Sequence, residues 1–277
     1  MRRLLLLAPY LLMGLAIAAC GSKSNEEAKA PEAAPAEQAA AAPAPTADTA
    51  AIDAAVASAD RSAEDKEQDA WRRPAEVLTF MELRPGVNAL DYFAAAGYYT
   101  ELMSRVVGAD GKVIAYNNPE YRKFSQDGPT KRYGNNRLPN VSEVTTPVES
   151  VQLDPASIDA VLFMQSYHDL YWRPKDGSWP ATDASKALAA LVPALKPGAV
   201  VVVVDHVANT GGEPTETVTA MHRIDPAILK RDFAAAGLKF DGESQTFANP
   251  ADDHSKEVFD KAIRHKTDQV MYKFRKT

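Results

Sequence analysis

Residues 85–100 read Pro85-Gly86-Val87-Asn88-Ala89-Leu90-Asp91-Tyr92-Phe93-Ala94-Ala95-Ala96-Gly97-Tyr98-Tyr99-Thr100. Asn88–Phe93 has the composition of a strand, Ala94–Gly97 that of a tight loop of small residues, and Tyr99–Val107 that of a helix. Gly108 supplies the residue that most readily takes the left-handed terminus of such a helix. A second short apolar run, Lys112–Tyr116, follows at once. Strand, loop, helix and strand in that order predict parallel pairing through a crossover helix.

The same alternation continues outward. Val141–Thr145 is a weaker third strand, Ile158–Met164 a fourth, and Ala199–Val204 an almost unbroken valine run. Such runs suit parallel strands covered on both faces. Pro226–Ala236 predicts an amphipathic helix closed by Gly237, and Leu238–Phe240 with Gln269–Phe274 completes the sheet. No internal repeat is visible. In open α/β sheets ligands bind beyond the carboxyl ends of the strands. The segments to watch are therefore Asp91–Thr100, Asn117–Glu120, Gln165–Trp172 and Asp205-His206, where polar or aromatic residues follow apolar strands.

The chain has 277 residues, 45% of them apolar and 25% charged, with a formal charge of −6 and one cysteine. Net acidity argues against a general nucleic-acid binder, which needs clustered surplus Lys and Arg. A single cysteine excludes an internal disulfide framework and any cysteine-rich zinc site. Met1-Arg2-Arg3 followed by the uncharged, mostly apolar run Leu4–Ala19 has the layout of a signal peptide. The lone Cys20 stands where that run stops. Residues 20–66, rich in Ala, Pro and acidic side chains, read as a tether with too few large apolar residues to fold, with some helical character from Thr49 to Asp69. Residues 67–277 are then the folded domain and nearly neutral.

Three resemblances follow from these residues. Ile17-Ala18-Ala19-Cys20 resembles a bacterial lipoprotein lipobox, which implies lipid on Cys20 and a domain held at the cell envelope facing the periplasm or exterior; an ordinary secretory signal is the alternative. Pro85-Gly86, Leu90-Asp91, Gly97-Tyr98-Tyr99-Thr100, Val107–Val113 and Leu195-Lys196-Pro197-Gly198 together resemble a class I S-adenosylmethionine (SAM)-dependent methyltransferase. Tyr167-His168-Asp169, Asp205-His206, His222–Asp225 and Asn249–Asp253 are similar to a narrower bacterial group of exported methyltransferase-like proteins. The resemblance implies a Rossmann-like, mostly parallel sheet with an antiparallel terminal strand. It also implies SAM as cofactor, held by Asp91, Ala95, Gly97, Tyr98, Asn117 and Gln165, and a small-molecule acceptor. His168 and Asp169 are the expected catalytic residues, with Tyr167, His206 and Arg223 at the substrate.

The departures from that pattern are specific. Ala95 and Ala96 stand where the related sequences carry glycine, and alanine held at positive φ is strained. Asn117 replaces the acid that accepts bonds from both ribose hydroxyls, and an amide oxygen does this without charge assistance. The chain has no G-x-G-x-x-G, so a dinucleotide cofactor is disfavoured. A metal is not expected, since the histidines lack ligand spacing. For Asp225-Pro226 a helix N-cap followed by Pro at N1 is the simplest role. Trp172–Asp183 has the makings of a lid, and residues 122–140 those of an insertion beside the site. Two functions are compatible with these features: an envelope-anchored methyltransferase, or a non-catalytic binding or scaffolding lipoprotein on the same fold.

Overall fold

The computed structural model describes residues 46–277. The expected signal peptide, Cys20 and most of the expected tether lie outside the described residues. Three helices come first: α1 (Thr49–Ala57), α2 (Ala63–Arg72) and α3 (Pro74–Phe80). The alternating part follows as β1 (Asn88–Tyr92), α4 (Tyr98–Val107), β2 (Lys112–Asn117), α5 (Pro119–Phe124), α6 (Gly128–Tyr133), β3 (Val141–Thr145) and β4 (Ile158–Met164). It ends with α7 (Ala184–Leu191), β5 (Leu195–His206), α8 (Pro214–Met221), α9 (Pro226–Ala235), β6 (Leu238–Ser244) and β7 (Gln269–Lys276).

The seven strands lie in the order β3-β2-β1-β4-β5-β7-β6. β1 pairs in parallel with β2 and β4, and β4 with β5, whereas β7 runs antiparallel to both β5 and β6. This is the Rossmann-like methyltransferase arrangement. Strand order reverses between β1 and β4, so the connections leaving these strands diverge and a crevice opens above their carboxyl ends.

Period-two alternation explains why the valine strand is apolar throughout. Val201 and Val203 pack with Leu90, Phe163, Leu188 and Phe233 on the α7/α9 face. Val200, Val202 and Val204 pack with Ala89, Leu102, Leu78 and Ile52 on the α1/α3/α4 face. β5 starts earlier than its valines suggest, at Leu195, and crosses Lys196-Pro197-Gly198 through a register shift, with Gly198 at φ 80°.

The expected boundary at residue 67 is corrected by α1 and α2. Asp48 caps α1 by accepting from the Ala51 amide, and Ile52 is completely buried against α3 and α4. In α2 the buried Asp65 and the Arg61–Asp69 ion pair (2.6 Å) face the domain. Residues 46–66 thus belong to the folded unit. Their alanine-rich composition hides this, because one isoleucine and one alanine of α1 provide its fully buried contact.

Candidate active site

The loop after β1 is built on alternate left-handed residues: Phe93 (φ 61°), Ala95 (φ 49°) and Gly97 (φ 83°). Ala95 therefore occupies a glycine-type position, as expected. Ala96 does not, and Phe93 is the unexpected partner. Asp91, next to last in β1, is buried and accepts a 2.7 Å bond from Thr100 Oγ1. Burial pushes its carboxyl up to about 6, against the lowering effect of the Thr100 bonds.

Asn117 does not point into open space. Its Oδ1 accepts from the Ala95 amide (2.8 Å) and its Nδ2 donates to the Ala95 carbonyl (3.2 Å), so both ends of the amide hold the strained alanine. Gly97 is needed for close approach as well as for φ. A Cβ there would lie 2.9 Å from the Tyr133 ring of α6. Tyr98, expected at the cofactor, turns the other way. Its hydroxyl donates to Asp69 and its ring lies under Arg61 and Arg72, at 5.5 and 4.7 Å. Gln165 donates to Gln269 Oε1 (2.9 Å) and is thereby tied to β7.

Aromatic side chains cross the crevice. The Phe93 ring stacks on Tyr121 of α5 at 4.7 Å and meets Trp179 edge-on at 6.2 Å. The Tyr121 hydroxyl donates to Asp169, whose carbonyl accepts from Trp179 Nε1 at 3.0 Å. A link from the β2 end to the β4 end thus passes over β1. SAM, the cofactor implied by this architecture, does not fit these residues as they stand. The Asn117 amide is already used, Phe93 fills the glycine slot, and Tyr133 lies against Gly97. Sequence reasoning missed Phe93, Tyr121 and Tyr133. The signal available for α5 was Asn118-Pro119, an N-cap whose side chain accepts from the Tyr121 amide, with Pro at N1.

Beside the crevice, β4 and β5 bring His168, Asp169 and Asp205 together. His168 follows β4 in a 3₁₀ turn, Tyr167–Leu170. Its Nδ1 lies 2.6 Å from Asp205 Oδ1, its amide donates to Asp205 Oδ2 (2.9 Å), and its Nε2 is 3.5 Å from Asp169 Oδ1. Burial would lower the imidazole pKa, but Asp205 and Asp169 outweigh it and hold His168 up at about 9. Burial raises the Asp169 carboxyl, while the His168 charge overcomes burial and lowers that of Asp205. The expected base is therefore a fixed cation at neutral pH.

Two further histidine rings stand nearby, His206 at 6.0 Å and His222 at 5.9 Å. Burial lowers His206 to about 3, and its Nδ1 pairs with Thr267 Oγ1 at 2.8 Å. Burial and then the His168 charge lower His222 to about 4. Its Nδ1 is buried without a partner, and its ring lies 5.1 Å from both Trp172 and Phe259. His222, which ends α8 in a left-handed conformation, is thus held as a neutral imidazole at neutral pH.

Two expected substrate residues are structural. Arg223 is completely buried, donating to the Val207 and Lys256 carbonyls and pairing with Asp252 at 2.9 Å, which pins residues 249–256 to the end of β5. Tyr167 is also completely buried and donates to Asp232 of α9 (2.9 Å). Asp225 caps α9 through the Ala227 amide, as expected. Among the described residues, no group of three or more His, Asp or Glu is placed to hold a metal ion.

No family model and no curated protein matches the sequence. Solved structures do match the fold. A SAM-dependent methyltransferase from Aquifex aeolicus aligns with a TM-score of 0.53 at 18% identity, over 77% of this chain and 97% of that one. The 4+2 cyclase SpnF aligns with a TM-score of 0.51 at 16% identity, over 77% and 81% of the two chains. At these identities the likeness is one of fold: the chain has the class I SAM-dependent methyltransferase fold.

Proposed function

We propose that this protein is a SAM-dependent methyltransferase for a small-molecule acceptor, anchored to the bacterial envelope by lipid on Cys20. The observation that supports methyl transfer is the buried His168–Asp205 pair beside neutral His222, at the carboxyl ends of β4 and β5. That is where an acceptor can lie next to the cofactor crevice. The neutral His222 imidazole would take the acceptor proton, with Glu257 Oε1 lying 3.9 Å from its Nδ1 to hold the imidazolium. Burial, and then the charge on His168, keep His222 neutral beforehand. SAM would supply the methyl group in a form of the crevice open enough to admit it. His222→Ala tests the base once an acceptor is identified, through loss of kcat at unchanged SAM affinity.

A second function, a non-catalytic binding lipoprotein, is favoured by one observation: Asn117 is spent on Ala95. Calorimetry with SAM on the full chain carrying Cys20→Ser separates the two. Weak binding is expected, and no heat at millimolar SAM would leave only the binding function. Labelled-lipid incorporation that survives Cys20→Ser would remove the anchor.

A further inference from the structure

The segment α5–α6 lies over the β1 loop with very little apolar burial. No residue of α5 is buried, and Pro129 is the buried residue of α6. Besides Tyr121, which stacks on Phe93, charged groups hold it. Arg132 of α6 donates Nε to the Ala96 carbonyl (2.7 Å), Nη1 to Glu101 Oε2 (2.8 Å) and Nη2 to Asp65 Oδ1 of α2 (3.1 Å). Arg137 adds bonds to Glu101 Oε1 (2.7 Å) and to the Asp60 carbonyl (2.6 Å). Asp65 and Glu101 are buried, and the three arginines Arg105, Arg132 and Arg137 hold the Glu101 carboxyl down at about 2 against burial. The fit is close enough to demand a second glycine, since a Cβ on Gly128 would lie 2.7 Å from that of Ala96. Yet the closed arrangement leaves Asn118 Nδ2 and Tyr133 OH buried without partners.

A segment tied by a few polar bonds, with little apolar area and two unsatisfied polar atoms, opens at low cost compared with the strands beneath it. We propose that α5–α6 is a gate over the cofactor crevice, latched by Arg132 to Asp65 and Glu101. Opening removes Tyr133 from Gly97 and withdraws Tyr121 from Phe93 and Asp169, clearing the space against Gly97 while the Asn117–Ala95 bonds stay in place. The latch reaches α2, so this early helix bears on cofactor access. This inference rests on the methyltransferase function for the identity of the ligand, but not for the gate itself.

The test is hydrogen exchange by mass spectrometry on the full chain carrying Cys20→Ser, with and without Asp65→Asn. Arg132→Gln serves as the second latch variant. Amides of 119–137 and of Ala95–Gly97 should exchange about tenfold faster in the variants, while β1, β4 and β5 stay protected. Only the open form takes ligand, so SAM should bind about tenfold more tightly to the same variants by calorimetry. Unchanged exchange of 119–137 in both variants, with the strands protected, would overturn the gate whatever SAM does. Faster exchange without SAM binding by any variant would uphold the gate and overturn the methyltransferase function.

Discussion

At the scale of single residues, the β1 loop carries a conformation that glycine would adopt more easily. Ala95 at φ 49° is held by both ends of the Asn117 amide. Ala95→Gly relieves the left-handed strain but loses chain entropy on folding, for a net gain of about 0.5–1 kcal/mol. Thermal unfolding should show a midpoint a few degrees higher, and a lower midpoint would show that the methyl packs usefully. The histidines set a pH profile. His168 is raised from 6.5 to about 9 on folding, so its contribution is fully present below 6.5 and lost as pH rises to about 9. His206 and His222 are lowered from 6.5 to about 3 and about 4, so theirs is present above 6.5 and lost as pH falls toward those values. Stability measured by thermal unfolding should therefore peak near 6.5. His168→Gln should flatten the alkaline side, and an alkaline side identical to wild type would contradict the His168–Asp205 assignment.

Elements differ in how plainly their residues announce them. β1, β2, β4 and β5 were legible because burial on both faces demands continuous apolar runs. Gly108 and Asp225-Pro226 marked helix ends for local reasons that need no tertiary contact. The gate helices α5 and α6 were not legible, since segments of six residues that bury almost nothing leave no periodicity to find. Nor was the latch, whose Arg132 and Asp65 lie 67 residues apart. His168 was found from its place after β4, but its charge was not, because that depends on Asp205 and Asp169 converging on it. The helical character of Thr49–Asp69 was legible, but the same limit hid the burial of α1 against the domain. Ile52→Ala, at the fully buried contact between α1, α3 and α4, should cost about 2–4 kcal/mol by chemical denaturation. A cost below about 0.5 kcal/mol, typical of surface substitutions, would return α1 to the tether.

For the whole molecule, a methyltransferase sheet order coexists with a crevice at the strand ends that the protein's own side chains fill. Among the described residues no helix is long and apolar enough to cross a membrane. The fold and the closed crevice are reconciled if closure is one of two states, with SAM selecting the open one at an affinity reduced by the small open fraction. A crystal structure of the full chain grown with millimolar SAM tests this most directly. The gate predicts SAM density above the β1 and β2 ends, with α6 lifted from Gly97 and the Tyr121 hydroxyl withdrawn from Asp169. SAM bound there with the Tyr121–Asp169 and Arg132–Asp65 contacts intact would contradict it.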